Sequence, residues 1–78
     1  MGKAATVMAS LLIEGDVNYK FRTDSLACDS WFDTEDGEKY GTILIEGDTI
    51  NFVDHDQQFD VNEDETSLND FVAELATH

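Results

Sequence analysis

The stretch with the most ligand-like spacing runs from Asp54 to Glu65 and carries the carboxylates Asp54, Asp56, Asp60, Glu63, Asp64 and Glu65. Counted from Asp54 as position 1 of a calcium loop, Asp56 stands at 3, Gln58 at 5, Asp60 at 7, Asn62 at 9 and Glu65 at 12. Alternating oxygen donors closed by a glutamate are what a hard cation needs. Position 6, however, is Phe59, where the sharp turn of such a loop needs glycine, and a β-rich run rather than a helix precedes it. The segment therefore predicts an acidic surface with loose cation association. A divalent-cation module over residues 54–65 is the alternative.

Other chemistries lack their parts. Cys28, His55 and His78 have no paired spacing, whereas a structural zinc site takes four ligands. A lone cysteine forms no internal disulfide, and its only candidate bases are those two histidines. Carboxylate pairs are too numerous to single one out, and general acid–base work needs a partly dry pocket that shifts a pKa. No phosphate loop or dinucleotide fingerprint is present. The expectation is a protein without catalysis, cofactor or resident metal.

Charge is the outlying property. Eighteen acids face four bases, Lys3, Lys20, Arg22 and Lys39, for a net charge of -14 and a pI near 4.1. Self-repulsion on this scale opposes compaction, so folding does not call for it. Direct binding to nucleic acid or to an anionic membrane is disfavoured, and a basic protein is the favoured partner. Carboxylates on one face of a strand recur about every 6.6 Å. A nucleic-acid strand carries one charge per about 3.4 Å of rise, so such a row would match every second phosphate. The competing account is salt adaptation, in which acids serve solubility, with self-association through an edge strand as a structural variant of it.

The elements that would hold these groups can be read in turn. Residues 1–78 make one small domain. Leu12-Ile13-Glu14-Gly15-Asp16 returns as Leu44-Ile45-Glu46-Gly47-Asp48, and each copy is followed by a β-rich run. Gly-Asp between two such runs is a hairpin signal. The alternation of Val7, Ala9, Leu11 and Ile13 predicts a strand over roughly 5 to 14, although the alanines and Met8 also suit an amphipathic helix. Further strands are predicted from Val17 to Arg22, over about 26 to 33, from Lys39 to Glu46 and from Thr49 to Val53, with an Asp36-Gly37 turn at the centre. Apolar residues on both sides of the Lys39 to Glu46 run place it centrally, covered on both faces. Lys20 and Arg22 fall on an outer face, where pairing with Glu14 or another acid is expected. Phe59 and Val61 would dock the acidic segment on the core. Leu68, Phe71, Val72 and Leu75 at i, i+3, i+4 and i+7 predict a helix over about 67 to 77, capped by Ser67. The resulting class is α+β: an antiparallel meander of four to five strands with one C-terminal amphipathic helix on one face and the other face solvated or used for binding.

No apolar run approaches the about 18 residues of a membrane-spanning helix, and the N-terminal stretch lacks a signal-peptide layout, so a cytoplasmic protein is expected. Gly2 to Thr6 fits a myristoylation pattern but lacks a polybasic neighbour. In size and composition the chain resembles the small acidic inhibitors that phages and mobile elements direct against host nucleases, anti-CRISPR proteins among them, a resemblance of charge that rests on no motif. It implies a host-cell cytoplasmic inhibitor of a basic nucleic-acid-binding protein or nuclease complex. The candidate contacts are Asp29, Asp33, Glu35, Asp36 and Glu38 in the central hairpin and the six carboxylates of the acidic segment. Trp31 and Tyr40 are the candidate anchors.

Overall fold

A computed structural model of the chain describes residues 2–24, 29–35 and 39–77. The protein is an α+β fold; the described residues form five antiparallel strands in one sheet and two α-helices packed on one face of it. The elements are α1 (Lys3–Glu14), β1 (Tyr19–Asp24), β2 (Asp29–Thr34), β3 (Thr42–Glu46), β4 (Thr49–Phe52), β5 (Gln57–Asp60) and α2 (Glu65–Ala76). The strands lie in chain order, β1 to β5, as a meander.

The first element corrects the expectation of a strand. Ala4, Ala5, Met8 and Leu12 are buried at helical spacing, whereas Ile13, on the alternating pattern, is 67% exposed. Alanine, leucine and methionine favour helix intrinsically, and here that preference coincides with a burial stripe. Gly15-Asp16 therefore ends a helix instead of turning a hairpin. The Gly15 N–H donates to the Leu11 carbonyl at 3.1 Å, and Asp16 takes the left-handed conformation with φ 56°. The second copy of the string does form the predicted hairpin between β3 and β4, with Gly47 at φ +60° in the first loop position.

The fifth strand comes from the acidic segment. A 3-10 turn at Val53–His55 is followed by β5, and Phe59 pairs opposite Ile50. Phe59 and Val61 are buried, as expected of docking residues. The strand breaks the loop that a calcium site would require. The Asp36-Gly37 turn lies outside the described residues, although β2 and β3 pair antiparallel on either side of it. α2 starts ahead of the predicted Ser67 cap, because the Asp64 carbonyl already accepts the Leu68 N–H at 2.8 Å.

The core sits between the helices and one sheet face. Phe32, Ile43, Ile45, Ile50, Phe52 and Phe59 come from the strands, and Leu68, Val72 and Leu75 come from α2. The register aligns Arg22, Trp31, Leu44, Asn51 and Gln58 as one row on the opposite face. That face carries no helix, so β3 is central but covered on one side only. Leu44 there stays half-buried.

Candidate partner-binding surface

The two helices run in the same direction. Lys3 Nζ donates to Asn62 Oδ1 at 2.6 Å beside the start of α2, and Gly15 and Ala76 border one cleft at the far end. The hairpin turns and loops thus fall at two ends of the sheet, and the acids gather at these ends. Among the described side chains no strand carries the expected row of carboxylates. Along β2 the face that holds Asp33 has Trp31 next, and along β3 the face that holds Glu46 has Leu44 and Thr42.

At the end near Asn62, the β4–β5 pairing sets Thr49 opposite Asp60 and so brings the β3–β4 turn beside the β5–α2 loop. Asp60 Oδ1 accepts the backbone N–H groups of Asn62 at 2.8 Å and Glu63 at 3.3 Å, a side-chain turn typical of aspartate. Asp64 Oδ2 accepts the Asp60 N–H at 3.3 Å, and Asp48 Oδ2 accepts Asn62 Nδ2 at 2.9 Å. Three carboxylates are therefore tied into one ledge, with Glu46, Glu63 and Glu65 exposed around it. Asp48 and Glu46 were not among the residues singled out in the sequence. Only the strand register places them beside Asp60.

At the opposite end, Asp54 Oδ2 accepts the Thr42 N–H at 3.1 Å. Thr42 Oγ1 lies 3.5 Å from Asp33 Oδ1, so Asp33 of the central hairpin and Asp54 of the acidic segment flank one threonine. Glu35 is exposed, with its N–H on the Asn18 carbonyl at 3.1 Å, and Asp56 ends the 3-10 turn at φ 54°. His55 Nε2 and the Lys39 carbonyl are 2.6 Å apart, and the imidazole packs edge-on to Phe71. The Asp29 side chain, Asp36 and Glu38 lie outside the described residues, as do Cys28 and His78.

The expected pairing of the outer-face bases is present as Arg22 with Asp33, Nε to Oδ2 at 3.0 Å, the one ion pair among the described residues. Asp33 also accepts Trp31 Nε1–H at 3.2 Å. With side-chain exposures of 53% and 41%, the ion pair contributes at most about 1 kcal/mol. Tyr40, 3% exposed, belongs to the core, so it does not offer a surface anchor. Trp31 is half-buried on the open sheet face. The predicted patch thus divides into the ledge, the Thr42 corner and the sheet face.

Among the described residues no group of three His, Cys, Asp or Glu side chains converges as metal ligands would, and no helix is long and apolar enough to cross a membrane. A groove of about 620 Å³ lies between α1 and α2, and a second cleft of about 580 Å³ adjoins it at the helix C-termini. Among the described residues Asp33 is the one carboxylate in an ion pair, so self-repulsion remains in the folded state. Raising NaCl from 0.01 to 0.3 M is expected to raise the melting temperature by several degrees in a circular-dichroism melt, since about 1 kcal/mol corresponds to ~4–8 °C at this chain length. A fold present only in molar salt would instead favour salt adaptation. No protein-family model, curated protein or solved structure matches the chain.

Proposed function

We propose that the protein is a non-catalytic acidic binding protein that sets fixed carboxylates against the Lys and Arg side chains of a basic nucleic-acid-binding protein and occupies the groove meant for DNA or RNA. The ledge of Asp48, Asp60 and Asp64 carries this reading. Its acids are held through Asn62 and backbone N–H groups before any partner arrives, and groups already ordered lose less freedom on binding. Glu46, Glu63 and Glu65 extend the same surface, and Lys3 is the base that reaches it, through Asn62. Size and charge favour the anti-defence type of inhibitor, anti-CRISPR proteins included, acting in the cytoplasm of a host cell on a nuclease complex.

The test is retention of a basic nucleic-acid-binding protein from a lysate, elution by salt, and release of that protein's DNA on addition of the acidic protein. Glu46→Lys combined with Glu63→Lys reverses two exposed charges outside the ledge's hydrogen bonds. Each reversal exchanges an attraction of about 0.5 kcal/mol for a repulsion of similar size, about 2 kcal/mol over the two, so retention should fall at least about tenfold. Retention of no such protein, or retention indifferent to both salt and the double reversal, would overturn the reading.

A further inference from the structure

We infer that the groove between α1 and α2 is the docking site for an amphipathic helix of the basic partner, an inference that rests on the reading above and assigns that partner's anchor. Apolar side chains would seat on the groove walls, and Lys or Arg side chains would lie at its ends. The walls are largely apolar, formed by Val7 and Leu11 of α1 and by Val72 and Ala76 of α2, with Thr6, Ser10 and Asn69 between them and Glu14 and Glu65 also in the lining. None of the four bases lines this groove.

The far end is acidic as well. Both helix C-termini meet there, neither helix has a basic residue in its last turn, and Asp16 and Glu35 line the adjoining cleft. The helix dipoles add partial negative charge there, although the Leu11, Leu12, Ile13 and Glu74 carbonyls already accept backbone N–H groups. Lys39 is the single base in that cleft, and its Nζ already donates to the Ala76 carbonyl at 3.3 Å. An apolar trough closed by carboxylates and helix C-termini complements an apolar stripe flanked by cations, the pattern of a basic amphipathic helix in a groove. Each wall is a helix of 12 residues, about 18 Å long, which matches three turns of a guest helix. The uncovered sheet face mixes both signs, Lys20 and Arg22 with Asp33, Glu46 and Asp60, so it lacks the single-sign rim that this guest needs.

The experiment titrates isotope-labelled protein with a synthetic fourteen-residue peptide that carries a Leu/Ala stripe at helical spacing and Lys elsewhere, beside a second peptide in which every Lys is Glu. The expected result is amide shift changes centred on Val7, Leu11, Glu14, Asn69 and Ala73 with the Lys peptide, and none with the Glu peptide. Ala73→Trp fills the trough from an exposed position and should weaken the peptide at least tenfold. Ser10→Trp on the facing helix does the same should the first variant fail to fold. Shifts confined to Glu46 and Glu63, shifts centred on Trp31 and Leu44, absence of binding at millimolar peptide, or full affinity in a folded groove-filling variant would each overturn the inference. A lysate partner lost by the Glu46→Lys and Glu63→Lys protein but kept by Ala73→Trp would sink the groove and leave the proposed function standing.

Discussion

Phe52→Ala is expected to remove about 3–5 kcal/mol of the protein's folding stability. Phe52 is fully buried in β4, opposite Ile43, and its ring meets Phe71 of α2 at 4.9 Å and Phe59 of β5 at 5.9 Å between centroids. It therefore joins the sheet to the C-terminal helix. Truncating a buried phenylalanine costs about 3–5 kcal/mol, from lost transfer energy and the cavity left behind. A domain of this size holds roughly 4–12 kcal/mol in total, so the change removes a large share of it. Urea titration followed by circular dichroism measures the loss. Phe21→Ala serves as the control. Phe21 is 36% exposed on the edge strand, although it touches Phe32 at 4.9 Å, and should cost about 1 kcal/mol. A Phe52→Ala loss no larger than that of Phe21→Ala would show that α2 is not held through this ring.

Gly41→Ala should cost about 3 kcal/mol, more than twice the cost of Gly47→Ala. Both glycines have positive φ, +63° and +60°, which charges any L side chain roughly 1–2 kcal/mol. They differ in what a methyl group would meet. Nothing lies within 4 Å of one added at Gly47, whereas at Gly41 it would overlap the Asp54 carboxylate. Asp54 would have to swing away and release the Thr42 N–H, a charge-assisted bond worth about 1.5–3 kcal/mol. A double-mutant cycle isolates this term. In an Asp54→Gly background, which also removes the Cβ that the added methyl group would meet, Gly41→Ala should cost no more than Gly47→Ala. Equal costs for the two glycines in the native background would mean that the carboxylate contributes nothing to the β3 entrance. The same geometry assigns Asp54, an expected partner contact, a structural task.

The fate of the repeated pentapeptide shows what the sequence held and what it did not. Leu-Ile-Glu-Gly-Asp ends a helix in one copy and turns a hairpin in the other, so the string specifies a stop and leaves the element before it open. The upstream residues decide. Ala4, Ala5 and Met8 supply helix preference and a buried stripe, whereas Thr42 and Ile43 are β-branched. The overlapping alternation of Val7, Ala9, Leu11 and Ile13 loses to that stripe and leaves Ile13 exposed. The helical stripe of Leu68, Phe71, Val72 and Leu75 was legible because no competing period overlaps it. The strand in the acidic segment was hidden because its exposed glutamines give it little β character; only Phe59 and Val61 pointed inward. The ledge was half legible. Asp60, Asp64 and Glu65 are close in sequence, but Asp48 and Glu46 reach them only through strand register, which a single chain does not disclose.

The chain-order arrangement of the strands has a kinetic consequence. Every strand pairs with its immediate successor, so the sheet can assemble from adjacent hairpins without first closing a long loop. The contact that spans the chain, from Lys3 to Asn62, belongs to the docking of α1 and is free to form after the strands are in place. A small body that repels itself would otherwise search slowly for distant pairings. This one can postpone its longest-range search, the docking of α1, until most of the apolar surface already has a partner.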